Sequence, residues 1–402
     1  MVIPGRVSET FRSRVHCGSK ALDELEKFLQ SFPVRRSRLF IIADTNTAGH
    51  CLPYLLNRCP SVEKGMLIQL DPGESSKDIS NAEKIWALML EAGADRNSLV
   101  INLGGGMVSD LGGFAASCFK RGVPYMNVPT SLMGMADAAI GGKTAVNMGN
   151  LKNQVGTFCL PLGVFIDTAF LKTLPPAEFR SGLAEVIKSA LVGNSVTWKL
   201  LLKLHENGRL NYKELSAKPV TELLPEDLVF KTAAFKSRIV SQDFREKKLR
   251  KMLNFGHSLG HALESLAIST AGTGGVPVTN GVPVTDGAPV TLLHGEAVAL
   301  GMIAAAGLSS LKCSLLSSDR QAITGLLSGL FPDRLSMISD MAASDPELEA
   351  RLWGLLQHDK KNSGGVVKFT LLKAPGKPVL NVPVSREEFG QAFGELISAR
   401  KK

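Results

Sequence analysis

Arg250, Asn254, His257 and His261 follow one another at intervals of four, three and four residues. On an α-helix that spacing puts all four on one face, while Leu253, Ala262 and Leu263 point elsewhere. A single histidine in such a stripe would read as a satisfied core residue. Two imidazoles with an arginine, an asparagine and intervening glycines favour a site. Asp243 and Glu246 extend the same spacing upstream if the helix continues that far. Metal ligation needs further donors. Glu185 lies on an apolar helical run with Lys188 three residues on, and His294-Gly295-Glu296 opens another helical run. Two histidines and one carboxylate with an open position would make a catalytic zinc-type centre. The text lacks H-E-x-x-H, which disfavours metalloprotease chemistry. Spacing alone leaves open which two of the seven histidines would bind.

A second group of polar residues lies nearer the N-terminus. Gly104-Gly105-Gly106-Met107-Val108-Ser109-Asp110 directly follows an apolar run. Glycines there permit a tight turn and close backbone approach, and the start of the next helix offers free N–H groups to a phosphate. Ser109 occupies the third glycine position of the dinucleotide fingerprint, so the strict pattern fails. A plain strand-to-helix turn is an equal reading. Asp44 and Asn46 follow another apolar run, where an acid can accept a ribose hydroxyl or simply cap a helix. Glu74 and Lys77, after Pro72-Gly73, are equally ambiguous. Between Val128 and Asn153, Thr130, Ser131, Asp137, Lys143, Thr144, Asn147, Lys152 and Asn153 interrupt an otherwise apolar stretch. Lys143 beside a glycine pair is suited to an anionic ligand.

The elements that must carry these groups follow from periodicity. Residues 39–44, 66–70, 99–103, 125–129 and 164–167 read as buried strands, with a helical pattern between Ser75 and Ala92. This alternation predicts a parallel sheet covered on both faces. From about Pro176 long helical periods replace strands. The expected fold is therefore an α/β nucleotide-binding domain over 1–175 and a mainly α-helical metal- and substrate-binding domain over 176–402. Within the latter, 271–291 is of low complexity. Three near-copies of Gly-Val-Pro-Val-Thr lie between Gly275 and Thr291. They are expected to form an exposed, dispensable loop, the competing reading being a lid.

Composition narrows the function. A chain of 402 residues, 44% hydrophobic, exceeds one ordinary domain and buries a sizeable core. Its six scattered cysteines include no CxxC pair, which predicts free thiols and a cytoplasmic setting. The run from Ala297 to Leu308 is too short to cross a bilayer, the N-terminus lacks a signal-peptide core, and no membrane association is expected. A net charge of +9 comes without a dense basic block and with only three Trp and three Tyr. No nucleic-acid partner is expected, and a phosphorylated, carboxylated small substrate fits the charge at least as well, though charge alone does not decide.

Taken together these motifs resemble the 3-dehydroquinate synthase family. The residues that carry the likeness are Gly104-Gly105-Gly106 with Asp110, Lys120-Arg121-Gly122, Val128-Pro129-Thr130, Gly141-Gly142-Lys143-Thr144, Lys152-Asn153 and 182–188. Leu253-Asn254-Phe255-Gly256-His257, His261, His294-Gly295-Glu296-Ala297 and Asp359-Lys360-Lys361 continue it in order and spacing. The resemblance implies Glu185, His257 and His294 as ligands of Zn2+ or Co2+. It implies Asp44, Asn46, Glu74, Lys77, Gly105, Gly106, Asp110, Thr130, Ser131, Lys143 and Lys152 around NAD. Asp137, Lys143, Asn153, Lys188, Lys236, Glu246, Arg250, Asn254, His261 and Lys361 (with Lys360 as an alternative) would serve the substrate, and Arg121 would reach the partner subunit of a homodimer. The implied reaction converts 3-deoxy-D-arabino-heptulosonate 7-phosphate to 3-dehydroquinate and phosphate in the shikimate pathway. It proceeds by transient oxidation, phosphate elimination, re-reduction and aldol closure. Alternatives are cyclases of the amino-dehydroquinate, valiolone or deoxy-inosose type, or a polyol dehydrogenase-like oxidoreductase. Ser131, Ala145 and Ser258-Leu259 depart mildly from the family pattern. The interval from His257 to His294 is longer than the family's usual one.

Overall fold

A computed structural model describes residues 2–3, 13–32, 38–149, 151–193, 195–218, 220–271, 292–357 and 366–399. The repeated segment and Lys360 and Lys361 lie outside them. The chain divides into two compact units. One comprises 1–182 with 219–246, the other 183–218 with 247–402.

The first unit is built on a seven-stranded sheet. In chain order its strands are β1 (Val2–Ile3), β2 (Arg14–Cys17), β3 (Leu39–Asp44), β4 (Met66–Leu70), β5 (Leu99–Gly104) and β6 (Tyr125–Pro129). A separate hairpin follows, β7 (Lys143–Met148) and β8 (Leu151–Phe158), before β9 (Gly163–Ile166) returns to the sheet. The spatial order is β1-β2-β9-β6-β5-β3-β4, parallel throughout except for β1. Every residue of β3, β5 and β6 is buried, as continuous apolar runs in a two-sided parallel sheet must be. The helices Ile79–Glu91 and Gly106–Cys118 contribute Ile85, Met89, Leu111 and Phe114 to the core that also holds Phe40, Ile42 and Ile68. The order of connection reverses around β3, which has β4 on one side and β5 on the other. In open α/β sheets the carboxyl ends of strands at such a reversal form the ligand crevice. Asp44 and Gly104 end those two strands.

The expected strands are present, but the polar stretch 143–158 also forms strands. Its alternating exposure on β8 leaves no apolar run to betray it. The second unit likewise contains a hairpin, β10 (Lys368–Ala374) with β11 (Lys377–Pro383), in a region expected to be helical.

The second unit is centred on the helix His294–Cys313, of which Gly295 to Ser309 are all buried. It packs against the helices His257–Ala271, Ser317–Leu330 and Arg386–Ser398 and against β10. At twenty residues it is long and apolar enough to cross a membrane by composition alone, longer than the Ala297–Leu308 run indicated, but it is the core helix of this unit.

The single helix expected from Arg250 to His261 is not formed. Leu249–Asn254 is a 3-10 turn, the chain bends at Phe255-Gly256, and an α-helix starts at His257. Nor does the helix extend upstream: Glu246 has φ +54 and lies outside regular structure. Gly256 causes the break. Its φ is +79, and a Cβ there would lie 2.6 Å from Met302 Cγ and 2.8 Å from Val298 O. Gly301 faces it, and a Cβ at that position would sit 1.9 Å from Gly256 O. Two glycines thus let the His257 and His294 helices approach backbone to backbone. Gly256→Ala combines left-handed strain with overpacking and is expected to lower unfolding stability by about 3 kcal/mol. A urea midpoint unchanged from the parent would show that the turn has another way to form.

Candidate functional site

In the second unit the close helix pair and the Pro176–Gly193 helix bring three donors together. Glu185 Oε1 lies 3.7 Å from His257 Nε2 and 3.6 Å from His294 Nε2. One donor atom from each residue falls within 4.8 Å of the others. Glu185 is completely buried, with its Oε1 facing both imidazoles. Lys188, one turn on and itself buried, forms an ion pair with it. His257 Nδ1 lies 3.3 Å from the carbonyl of Phe255, and His294 Nδ1 lies 3.0 Å from Glu264 Oε2. Burial opposes the charged form of His294, but the carboxylates of Glu264 and Glu185 outweigh it and push the imidazole up to about 10. A buried carboxylate with two imidazole Nε2 atoms facing it, one of them backed by a second carboxylate, fits a divalent cation with N and O ligands.

His261 is a neighbour of this group and not a member of it. Its ring centroid is 5.4 Å from that of His257 and 6.3 Å from that of His294. Arg250 is buried on the 3-10 turn, and Asn254 closes that turn half-buried. The sequence-derived face from Arg250 to His261 is therefore carried by two elements meeting at a bend. Glu264 was missed by sequence reasoning. It follows His257 by seven residues, two helical turns along the same face, and that spacing is the signal that could have found it.

In the first unit several expected residues converge on one buried ammonium. Lys77 Nζ donates to Asp110 Oδ2 at 2.7 Å and to Asn153 Oδ1 at 2.6 Å, with Glu74 Oε1 at 3.6 Å. Burial disfavours its charge, but Asp110 and Glu74 outweigh burial and raise its pKa. Asn147 ties the group together: its Nδ2 donates to Glu74 Oε1 at 3.0 Å and its Oδ1 accepts from Asn153 N at 2.9 Å. Asn153, expected beside the substrate, thus shares a cluster with Glu74, Lys77 and Asp110. At the β5 end Gly105 begins the Gly106–Cys118 helix with no side-chain cap, leaving the turn open to an anion. Thr130 N donates to Gly104 O at 3.0 Å, and Ser131 Oγ accepts from Gly134 N at 3.1 Å.

Asp44 is a helix cap: its Oδ1 accepts from Thr47 N at 2.8 Å in a capping box, with Asn46 exposed in the first turn. Asp137, on a π-helical turn, grips Lys236 Nζ through its carbonyl at 2.7 Å and its carboxylate at 2.6 Å. Lys143 forms an ion pair with Glu246. Lys152 is half-buried on β8. Arg121 is exposed with φ +70, beside Lys120 at φ +50. None of the six cysteines is joined in a disulfide.

Comparison with known proteins joins the two units in one lineage. Residues 67–181 match the family model for the 3-dehydroquinate synthase N-terminal region, and residues 182–362 match that for its C-terminal region. The chain belongs to the 3-dehydroquinate synthase family. A 3-dehydroquinate synthase of Parabacteroides distasonis is 37% identical over 365 residues, covering 91% of this chain and 92% of that protein. One of Oceanobacillus iheyensis is 34% identical over 368 residues, covering 91% and 90%. Among solved structures, 2-deoxy-scyllo-inosose synthase complexed with carbaglucose-6-phosphate, NAD+ and Co2+ superposes with a TM-score of 0.72 at 23% identity, covering 95% of this chain and 96% of that one. The 2-epi-5-epi-valiolone synthase of Streptomyces hygroscopicus, with NAD+ and Zn2+ bound, gives 0.71 at 24% identity, covering 97% and 99%. These two likenesses establish the fold: a parallel-sheet N-terminal part and a mostly helical C-terminal part. As a family member the chain is an enzyme of the phosphate-eliminating cyclase type.

The buried cluster of the first unit lends itself to a double-mutant cycle. Lys77→Met leaves Asp110 without its cation and should destabilise the protein by about 3 kcal/mol. Lys77→Met combined with Asp110→Asn should recover part of that loss. Additive losses in urea unfolding would show that the pair does not couple.

Proposed function

We propose that this chain is a 3-dehydroquinate synthase, converting 3-deoxy-D-arabino-heptulosonate 7-phosphate to 3-dehydroquinate and phosphate with NAD and a divalent metal. The observation that carries the reading is the Glu185–His257–His294 donor set in a chain matched across most of its length by proteins of that name. Glu185, His257 and His294 would hold Zn2+ or Co2+. Asp44, Asn46, Glu74, Lys77, Gly105, Gly106, Asp110, Thr130, Ser131, Lys143 and Lys152 would hold NAD, supported by the open strand ends at the sheet reversal. When bound, the two supply a reversible hydride acceptor and an electrophile for the hydroxyl that is oxidised.

The chain's own groups do the rest. Lys143, Lys188, Lys236, Arg250 and Lys361 supply positive charge for the substrate's phosphate and carboxylate. Asp137 and Glu246 fix two of those amines by ion pairing, so little side-chain freedom remains to be lost on binding. Asn153 and Asn254 offer amides that orient hydroxyls. His261 stands beside the donor set and takes the proton-transfer role, for which an imidazole is suited near neutral pH. Holding the acyclic intermediate for ring closure is a matter of orientation. Arg121, exposed on a left-handed turn, is assigned to the partner's site in a homodimer. A cytoplasmic setting accords with six free thiols.

Incubation with the seven-carbon substrate, NAD and Zn2+ or Co2+ should release one phosphate per substrate and leave no lasting NADH. Stoichiometric NADH would replace this reading with a polyol dehydrogenase-like one. Phosphate release only from a sedoheptulose or hexose phosphate would favour a valiolone or inosose cyclase. His257→Ala and His294→Ala should each lose bound metal, whereas His261→Ala should keep the metal and lose turnover. A metal-free His261→Ala protein beside a metal-replete His294→Ala protein would reverse the assignment.

A further inference from the structure

His257 and His294 are held differently. His257 is well packed, its side chain 11% exposed, and a backbone carbonyl meets its Nδ1. The His294 side chain is 35% exposed at the first position of its helix, where the turn before it supplies no helical backbone to restrain the ring. The group that restrains it is Glu264, a carboxylate only 5% exposed, whose Oε2 lies 3.0 Å from His294 Nδ1. Glu264 reaches His294 from the His257–Ala271 helix, so the contact also ties together the two elements that carry the imidazoles.

An imidazole that donates Nδ1–H to a carboxylate has its lone pair on Nε2, is fixed in ring rotation and is a stronger base. In this protein the Nε2 so directed is the atom 3.6 Å from Glu185 Oε1. A backbone carbonyl does the same for His257 without adding charge. The carboxylate of Glu264 adds a second buried negative group facing any cation held there.

We infer that Glu264 is a positioning residue of the metal centre: it locks His294 in the Nδ1–H form and aims Nε2 at the site. The inference rests on the proposed metal assignment and deepens it, since Glu264 itself offers no atom to the donor set. Its carboxylate meets Nδ1 of His294, the ring nitrogen opposite the Nε2 that faces Glu185, and a role in packing alone would leave metal affinity untouched.

Zinc affinity is measured by competition with a chromophoric chelator, alongside the visible absorption of the Co2+-loaded protein. Glu264→Ala should weaken zinc 10- to 100-fold, the range in which loss of an outer hydrogen-bond partner falls. Glu264→Gln keeps an acceptor oxygen and loses the charge, and should lie between the two with an altered Co2+ spectrum. Thermal melting of chelator-treated Glu264→Gln at the parental temperature separates the effect from folding. Parental zinc affinity and an unchanged Co2+ spectrum in Glu264→Gln and Glu264→Ala, with His257→Ala deficient in metal, would overturn the role of Glu264. Parental affinity in His257→Ala would overturn the metal centre itself.

Discussion

A completely buried carboxylate, with an ammonium at one oxygen and two imidazoles facing the other, is the constraint around which the second unit is arranged. Glu185 occupies an interior from which an isolated charge would be expelled; the energetic penalty of an unpaired buried ion is several kcal/mol. Lys188 one turn along and His257 and His294 opposite supply positive charge or the capacity to take it up, while Glu264 sets a second carboxylate behind His294. That arrangement requires two helices to meet more closely than side chains normally permit. The glycine pair at 256 and 301 provides the approach. The same bend that makes it possible divides the polar stripe between a 3-10 turn and an α-helix.

The first unit solves a related problem with opposite signs. Its buried charge is an ammonium, and carboxylates and amides gather round it from three stretches of chain: the turn at 74–77, the start of the Gly106–Cys118 helix and the β7–β8 hairpin. Asn147 and Asn153 give the hairpin a part in this that its sequence does not advertise. In both units a single fully desolvated ion fixes the positions of several segments at once. Such networks specify one arrangement because any partial version leaves a charge unpaired.

The strands at 39–44, 66–70, 99–104 and 125–129 were legible because residues buried on both faces leave uninterrupted apolar runs. The hairpin at 143–158 was not, since few of its residues are buried and the apolar ones do not fall in one run. The hairpin at 368–383 was hidden among helical periods. Spacing identified His257 as part of a polar stripe but placed that stripe on a helix which the backbone interrupts at Gly256. No local pattern links Lys77 to Asn153, 76 residues away, or Glu264 to His294, 30 residues away. Those pairings exist only in three dimensions. The choice among the histidines came from family likeness; the structure brings donor atoms of Glu185, His257 and His294 within 4.8 Å of one another.

The position of His294 makes the two sides of that residue unequal in their response to changes of chain length. It is the first residue of a helix whose next fifteen positions are buried. One residue added inside that helix would turn everything before it by about 100° and shift it by about 1.5 Å against a packed core, carrying the imidazole away from Glu185. A residue added ahead of Leu293 leaves the register of that helix against its core unchanged. Changes of length on the N-terminal side of His294 therefore leave its place against Glu185 intact, whereas any change within the helix moves it.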